Sequence, residues 1–431
     1  MRLFYTIFIY FLSPFVLIRL FCLGLKNPSY WLRWKERFGF ISWKKTDTPV
    51  IWIHAVSVGE VNAATPIIHQ LLEHYSNYLV LITTVTPTGA QTVKHHFGDE
   101  VEHRYLPYDL PIAVNQFLKK IKPVLLIAME TEIWPNLYHL CKKNDLPILL
   151  VNARLSDKSA KGYKLVSGLM NETLSKVNLI AAQTSKDAER FISFGAKRDK
   201  VKVIGNLKFD ITIPQSISEQ AESLKRYFSV NRIVWMAAST QDGEDEYILE
   251  AHKLILKNFP TAILILAPRH PERVADVASL CEGKGFNIIK RTENIPFTED
   301  AQVYLLDTLG ELQAHYAASE LAFVGGSLVN TGGQNMLEPA SLGIPVLSGP
   351  NTYNFIEISE MLSDAGVLTW VHSAKELATA VCNLFEDANL RHNIGEKGRN
   401  VIESNRGNIN HLMAMIEPYL SKDATYERKS I

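Results

Sequence analysis

The sequence has few cysteines and no excess of charge of either sign. The four cysteines are scattered along 431 residues without a C-x-x-C spacing, which argues against a zinc site or a disulfide framework and favours a reducing compartment. They are Cys22, Cys141, Cys281 and Cys382. Lysine plus arginine and aspartate plus glutamate number 45 each, so no global basic field is present that would hold a nucleic acid backbone. We therefore expect no nucleic acid partner.

Familiar cofactor and metal motifs are also missing. The glycine-rich loop lacks the G-x-G-x-x-G spacing and comes late in the chain, which weakens a dehydrogenase interpretation, and no Walker A lysine motif is present. The neighbouring His95 and His96 have no H-E-x-x-H context, and we interpret both as exposed helix residues. We expect neither a metal site nor a bound cofactor.

The N-terminus is far more apolar than the rest of the chain. From Leu3 to Leu25 the one charged residue is Arg19. A basic cluster follows, formed by Lys26, Arg33, Lys35 and Arg37. The unbroken stretch from Leu3 to Ile18 is near the lower limit of roughly 17 to 25 residues for a spanning helix, and Pro14 can kink it. A spanning helix and a helix lying in the membrane interface both remain open.

A cleaved signal peptide is the alternative to a retained anchor. The apolar run lacks an A-x-A cleavage site, and more positive charge follows it than precedes it. Both features favour a retained anchor that keeps the following domain on the cytoplasmic side of the membrane.

Beyond the anchor, short β-rich apolar runs alternate with helical periods in two series. The first contains VIWIHAV, YLVLITTV, VLLIAM, PILLVNA, NLIAAQ and VKVIG, and the second contains RIVWMAAS, AILILAPR, FNIIKRT, QVYLLD, LAFVGGS, IPVLSG and VLTWV. Continuous Val/Ile/Leu runs separated by enough chain for crossover helices predict parallel, doubly wound sheets. The sequence therefore predicts an α/β protein with two Rossmann-like domains facing a cleft.

The stretch ITIPQSISEQ, which follows Asp210 and lacks strand character, separates the two series. The last helical stretches, from about Ala374 to Leu420, can pack across both halves. The predicted segments are a membrane anchor and basic flank at 1–40, a first domain at 41–210, a linker at 211–230, a second domain with the C-terminal helices at 231–421, and a tail at 422–431.

Ligands of open α/β sheets bind outside the carboxyl ends of the strands, so the loops after each run carry the candidate residues. After the first run, Glu60 lies at the start of an apolar-periodic helix, where N–H groups and the helix dipole favour an ionised carboxylate. The ionised form is the one in which a general base takes a proton from a sugar hydroxyl. A helix-capping role without catalysis is the alternative.

Two acids, Glu130 and Glu132, follow the run PVLLIAM. Because close carboxylates repel, at least one of them should be offset by a cation or by hydrogen bonds. Lys208, just past another run, is a candidate for that cation. A capped helix start with Pro135 and an exposed loop lysine are the alternative interpretations.

The second series also ends in polar loops. Pro268 and Arg269 follow one run, and the rigid fork of an arginine suits a phosphate. The segment from Thr308 to Glu311 offers polar groups after another run.

A glycine-rich loop follows the run LAFV. It contains Gly325, Gly326, Gly332 and Gly333 and precedes a helix around residues 335–342. Glycines let the backbone approach a phosphate, and free N–H groups at a helix start can bind an anion. Glu338, one turn into the helix, is placed to bond a ribose hydroxyl.

Several long motifs carry a family resemblance: HAVSVGE, TTVTPTGA, METEIWPN, NARLSDKS, GNLKFD, LAPRHPER and GGSLVNTGGQNMLEPA. In order and spacing they resemble the 3-deoxy-D-manno-octulosonic acid (Kdo) transferases of Gram-negative bacteria over nearly the whole chain. The apolar N-terminus occupies the place where that family has an anchor. The resemblance implies a GT-B fold and a glycosyltransferase of lipopolysaccharide biosynthesis at the cell inner membrane.

The resemblance also implies substrates and residue roles. The donor is CMP-Kdo, the acceptor is the 6'-hydroxyl of a tetraacylated lipid A precursor, transfer inverts the anomeric carbon, and no metal takes part. Glu60 is then the base, and Glu130 and Lys208 stabilise the transition state. The residues expected to meet CMP are Pro268, Arg269, Leu309, Gly310, Glu311, Asn335, Met336, Leu337 and Glu338.

Two other functions remain open from the residues alone. One is a different membrane-associated GT-B transferase that uses a UDP-sugar and a polyprenyl-linked acceptor, and the other is a non-catalytic, membrane-tethered nucleotide-binding scaffold. One departure from the family also matters: many relatives read S-T-H-E-G-E where Ser239 and Thr240 are here followed by Gln241, Asp242, Gly243 and Glu244. A donor contact at that turn is therefore not assigned.

Overall fold

A computed structural model describes residues 1–43, 46–211, 213–228 and 232–420 of the chain. Two compact units are present: Met1–Asp210 together with Gly407–Ile431, and Ile211–Arg406. In the described part of each unit, seven strands form one parallel sheet. The predicted tail lies outside the described residues, as do part of the predicted linker and the side chain of Lys26.

The sheet of the first unit has the strand order β3-β2-β1-β4-β5-β6-β7. Its strands are β1 (Val50–His54), β2 (Leu79–Thr84), β3 (Glu102–Tyr105), β4 (Pro123–Met129), β5 (Ile148–Ala153), β6 (Leu179–Ala182) and β7 (Val201–Val203). Trp52 enters one apolar core cluster, whereas Ile51 and Ile53 enter another, because neighbouring side chains of a strand point to opposite faces. Both faces of the sheet are therefore buried.

The helices of this unit connect the strands and cover the sheet. They are α1 (Arg2–Lys26), α2 (Val58–His74), α3 (Pro87–Phe97), α4 (Pro111–Ile121), α5 (Pro135–Lys143), α6 (Asp157–Lys164), α7 (Ser167–Leu174) and α8 (Ser185–Ser193). The order of the sheet reverses between β1 and β4, and ligands bind beside such a reversal in doubly wound sheets.

The second unit repeats this architecture with the strand order β10-β11-β9-β8-β12-β13-β14. Its strands are β8 (Val234–Thr240), β9 (Ile263–Pro268), β10 (Ile288–Lys290), β11 (Val303–Leu305), β12 (Leu321–Val324), β13 (Val346–Ser348) and β14 (Leu368–Trp370). Its helices are α9 (Ser216–Tyr227), α10 (Asp245–Ile255), α11 (Val274–Gly283), α12 (Leu312–Ala317), α13 (Leu337–Ser341), α14 (Ile356–Asp364), α15 (Ala374–Glu386) and α16 (Ala388–Ser404). The reversal here lies between β8 and β12. The prediction of two doubly wound parallel sheets is confirmed.

The C-terminal end of the chain returns to the first unit, which differs from the predicted domain at 231–421. Asp210 caps the start of α17 (Asn408–Ile416), since its carboxylate accepts from the N–H groups of Gly407 at 2.6 Å and Ile409 at 2.7 Å. Ile409, Leu412 and Ile416 then enter an apolar core cluster of the first unit. The apolar face of α17 therefore belongs to that core.

The N-terminal helix α1 lies against loops at the carboxyl edge of the first sheet. Tyr5 Oη donates to Asp109 Oδ2 at 3.0 Å, and Asp109 is in the connection between β3 and α4. Thr6 Oγ1 and Arg2 Nη1 donate to Asn136 Oδ1 at 2.8 and 3.2 Å, and Asn136 is in the first turn of α5 after β4. One polar face of α1 is thus fixed to the unit.

The opposite face of α1 is apolar and exposed. Its large side chains recur every three or four residues: Leu3, Phe4, Ile7, Phe8, Phe11, Phe15, Ile18, Phe21 and Leu25. Among the described helices, Arg2–Leu25 is long and apolar enough to cross a membrane, with a mean hydropathy of 2.1. The helix continues through Pro14. The predicted apolar N-terminal helix is confirmed.

Candidate functional site

Glu60 lies in the first turn of α2, directly beyond the carboxyl end of β1. Its Oε2 atom accepts a hydrogen bond from the backbone N–H of Val56 at 2.8 Å. The side chain therefore turns back toward the strand end, beside the reversal of the sheet.

The environment of Glu60 disfavours its charge. Burial raises the pKa of Glu60 to about 8, and the charges of Glu132 and Glu130 add to this effect, whereas the Val56 N–H and Lys208 oppose it. This differs from the expectation that the helix start keeps Glu60 ionised. Desolvation and two neighbouring acids outweigh the helix terminus, so the protonated form of Glu60 is favoured at pH 7.

Glu130 and Lys208 come together at the same sheet edge. Lys208 Nζ lies 3.6 Å from Glu130 Oε1, and both side chains are about three-quarters shielded from solvent. Glu130 follows β4 with φ = 52°, in the left-handed region that non-glycine residues rarely adopt. Backbone held in such a conformation clusters at functional sites. The cation that the sequence could not place is thus beside one of the two acids.

Glu132 has a network of its own and received no role from the sequence. Its Oε2 atom accepts from Trp134 Nε1 at 2.7 Å and lies 3.4 Å from Nε2 of the fully buried His54. His54 Nδ1 lies 3.0 Å from Thr83 Oγ1. The signal for this residue was its place two positions after Glu130, at the end of a buried strand.

In the second unit, Arg269, Asn335 and Glu338 form a second polar group. Asn335 Nδ2 donates to Glu338 Oε1 at 3.0 Å, and Asn335 Oδ1 accepts from the N–H of Leu337. Burial raises the pKa of Glu338, while the Asn335 hydrogen bond and the charge of Arg269 oppose the rise. Of the expected CMP contacts here, Met336 and Leu337 have fully buried side chains, so a ligand meets only their backbone.

Pro268 and the turn before α12 complete the expected donor residues. Pro268 ends β9, and the next residue donates its N–H to Thr240 O at 3.0 Å. Glu311 pairs with Arg291 through two contacts of 3.0 and 3.1 Å. Leu309 is 69 % exposed and Gly310 has φ = 84°, so the turn presents backbone and an exposed apolar side chain. The contact of these residues with CMP stays a prediction.

The glycine-rich loop after β12 binds a carboxylate of the same chain, that of Glu244. The N–H groups of Gly326, Ser327 and Leu328 donate to the carboxylate of Glu244 at 2.6, 2.8 and 2.8 Å. The N–H of Gln241 donates a fourth hydrogen bond, at 2.9 Å. These N–H groups therefore do not serve the phosphate that the sequence analysis expected at this loop.

Gly325 shows why the loop needs glycine. A Cβ atom on Gly325 would lie 2.7 Å from Ser239 O and 2.9 Å from Glu244 Oε2. In the sequence, Glu244 stands out only as the end of the motif that departs from the family pattern. In the structure Asp242 is exposed, whereas Gln241 contributes its backbone N–H to Glu244.

Comparisons with known proteins agree with this architecture. Residues 32–211 match the family model described as 3-deoxy-D-manno-octulosonic-acid transferase, and residues 238–401 match glycosyl transferases group 1. UDP-GlcNAc 2-epimerase from Neisseria meningitidis, bound to UDP-GlcNAc, has a similar fold, with a TM-score of 0.59. It shares 16 % identity and covers 86 % of this chain and all of its own. This likeness shows the fold, which is of the GT-B type.

Two relatives identify the family. The 3-deoxy-D-manno-octulosonic acid transferase of Haemophilus influenzae is 40 % identical over 98 % of this chain and 99 % of its own length. That of Bordetella pertussis is 31 % identical over 86 % of this chain and 87 % of its own. The chain therefore belongs to the 3-deoxy-D-manno-octulosonic acid transferase family and is a glycosyltransferase.

Proposed function

We propose that the chain transfers Kdo from CMP-Kdo to a tetraacylated lipid A precursor, with inversion, at the cytoplasmic face of the inner membrane. One observation supports a lipid acceptor above all. The apolar helix α1 is hydrogen-bonded to loops at the same sheet edge that carries Glu60, Glu130 and Lys208. A membrane that receives α1 lies next to the acidic site, so a lipid-borne hydroxyl has a short path to Glu60.

The proposed transfer step uses Glu60 as the base. The acceptor hydroxyl oxygen bonds to the anomeric carbon of Kdo as the bond from that carbon to the CMP phosphate breaks. The electron pair of the broken bond leaves with CMP, and the hydroxyl proton passes to ionised Glu60. The Glu130–Lys208 pair stabilises the charge that develops in the transition state.

The second unit is proposed to hold the donor. Arg269 and the backbone at Pro268 suit the phosphate, and the half-buried Asn335–Glu338 pair suits hydroxyl groups of the ribose. The remaining proposed contacts are Leu309, Gly310, Glu311, Met336 and Leu337. The step needs no metal, so we expect transfer to continue in the presence of a chelator.

We further propose that α1 lies in the plane of the membrane interface. Its polar face is hydrogen-bonded to the first unit along Arg2, Tyr5 and Thr6, and only the other face is free to enter lipid. A spanning helix would have to leave these partners. Trp31 and Trp34, which are 41 % and 44 % exposed beyond the end of α1, are residue types that favour the headgroup level.

A donor panel tests the proposal. Purified chain in detergent is given CMP-Kdo or UDP-sugars together with a lipid A precursor, and the lipid products are analysed by mass spectrometry. We expect Kdo addition with CMP-Kdo and no transfer from the UDP-sugars. The mass of the lipid product also gives the number of Kdo units added. Transfer from a UDP-sugar with CMP-Kdo left intact would show that the proposed donor is wrong.

A further inference from the structure

Helix α6 links the acidic edge of the first sheet with the start of α1. It follows β5 directly, and its N-cap Ser156 accepts from the N–H of Ser159 at 3.1 Å. Ala160 and Tyr163 on its inner face pack against the core, and the Tyr163 ring meets Phe194 edge-on at 6.3 Å. One face of α6 is thus fixed to the unit.

The outer face of α6 is basic with an apolar end. Lys158, Lys161 and Leu165 follow one another at helical spacing, and Lys164 flanks them. Leu165 is 87 % exposed and Val166 is 38 % exposed. All three lysines are exposed, and in the described part of the chain none of their ammonium groups forms a hydrogen bond or an ion pair. We call these five residues the α6 outer face.

The α6 outer face ends close to the N-terminal start of α1. A Cβ atom on Gly168, three residues after Leu165, would lie 3.3 Å from Met1 Cγ. Glu172 of α7 holds the same end of α1, since its carboxylate lies 3.9 Å from the Met1 amino nitrogen and 3.7 Å from Arg2 Nε. A membrane that covers the first turns of α1 therefore comes close to Leu165 and Val166.

We propose that the α6 outer face is a second membrane contact, in which Leu165 and Val166 enter the interface and the three lysines bind the phosphates of anionic lipid headgroups. The inference rests on the proposed placement of α1 in the interface. Stable association of a protein with a membrane surface commonly takes an apolar signal and a basic one. Here α1 supplies the first, and α6 supplies the second.

The contact has a consequence for the reaction. α6 begins at the carboxyl end of β5, at the edge that carries Glu130, and ends at the membrane-facing start of α1. Holding both α1 and α6 on the membrane fixes the tilt of this edge relative to the lipid surface. A lipid-borne acceptor then reaches the acidic site from a constant direction.

Vesicle flotation of the full chain tests the proposal. Wild type is compared with a variant carrying Lys158→Gln, Lys161→Gln and Lys164→Gln, on phosphatidylcholine vesicles with or without about 30 % phosphatidylglycerol. Each lysine near an anionic surface contributes roughly a fivefold change in partition. We therefore expect the variant to bind anionic vesicles at least about tenfold more weakly than wild type, and neutral vesicles equally well.

A matched control removes three other exposed lysines of the same unit, Lys119, Lys142 and Lys143, by substitution with Gln. They lie at the C-terminal ends of α4 and α5, which are at the opposite edge of the sheet. The control variant should bind anionic vesicles within about twofold of wild type. Equal loss in both triple variants would overturn the proposal, because a general charge effect would then explain the binding.

Two further variants separate this inference from the placement of α1. Leu165→Ser should weaken binding to both kinds of vesicle, and a thermal unfolding curve in detergent shows that it is folded. A variant with Phe4→Ser, Phe8→Ser and Phe11→Ser should lose binding to neutral vesicles. If that variant binds like wild type, the placement of α1 fails. If it loses binding while the α6 lysine variant keeps full affinity for anionic vesicles, only the α6 contact fails.

Discussion

Glu60 and Glu244 occupy comparable positions in the two units but have opposite surroundings. Each follows the first strand of its sheet and lies at the start of the next helix, and each carboxylate accepts an N–H from three or four residues earlier in the chain. Glu244 accepts three more N–H groups from the loop after β12. Glu60 instead faces the charges of Glu130 and Glu132.

The loop after the neighbouring strand decides what a carboxylate at a helix start does. Four N–H donors replace the water that a buried carboxylate loses, so Glu244 is suited to fix a loop. Glu60 has one such donor and two acidic neighbours, which raise its pKa to about 8 and make it a strong base once it is ionised. Five predictions test this difference, from the largest effect to the smallest.

Glu60→Gln should abolish transfer while the fold persists. Loss of a general base lowers kcat by roughly 10²- to 10⁴-fold, and the amide cannot take the proton. Kinetics at saturating donor measure the loss, and CMP binding should be unchanged. Glu73→Gln, on the exposed side of the same helix, is the control. A folded Glu60→Gln protein with wild-type kcat would remove Glu60 from the mechanism.

The same substitution should change the pH dependence of stability. The folded pKa of about 8 lies above the usual value of 4.5, so the stability that protonated Glu60 provides is present at low pH and is lost as pH rises through about 8. Gln has no charge to bury. Melting temperatures in detergent should therefore favour Glu60→Gln increasingly between about pH 5 and pH 9.

Lys208→Gln tests the cation beside the acidic site. Removal of one charge that stabilises a transition state costs roughly 10² in kcat. Because Lys208 lowers the pKa of Glu60, its loss should also move the rise in activity to higher pH. The exposed Lys202→Gln in β7 should show neither effect. A normal kcat with an unshifted pH profile would contradict the role of Lys208.

Glu244→Ala should loosen the glycine-rich loop after β12 and should leave proton transfer unaffected. Four backbone N–H groups would lose their acceptor, which costs about 3 kcal/mol of stability and loosens the loop. We expect the KM for CMP-Kdo to rise roughly tenfold, with the pH profile of kcat unchanged. Glu244→Asp should recover part of the affinity, whereas the exposed Glu246→Ala should behave like wild type. A fall in kcat alone would contradict this loop-positioning role.

The sequence predicted most of the fold, because buried parallel strands leave continuous apolar runs. All seven runs of the second series correspond to β8–β14. The strand that it missed, β3, has the sequence EHRY at the edge of the sheet, where only Tyr105 is buried. The sequence left open that the last helices pack across both halves, but it could not assign α17 to the first unit, since the capping by Asp210 links residues almost 200 positions apart.

For the candidate site, the sequence could place residues on loops but could not show which charged or polar groups the fold brings next to them. Glu60 was found, yet its protonation depends on Glu132, which reaches it only through the pairing of β1 with β4. Glu244 was overlooked because three of its four N–H donors lie more than 80 residues away, in a loop that the glycines alone suggested for phosphate. Local sequence patterns indicate single residues. The protonation state and the hydrogen bonds of such a residue depend on groups that are distant in the sequence.

Glu132→Gln gives the smallest predicted effect and the sharpest test of the comparison. The charge of Glu132 raises the pKa of Glu60, so its removal should lower that pKa and move the rise in activity to lower pH. More of the protein then carries an ionised base at pH 7, and kcat there should rise by about two- to threefold. Gln still offers an oxygen to Trp134 Nε1, so the local hydrogen bond can persist. Glu189→Gln, exposed in α8, is the control, and an unshifted pH profile in Glu132→Gln would mean that the charge of Glu132 does not raise the pKa of Glu60.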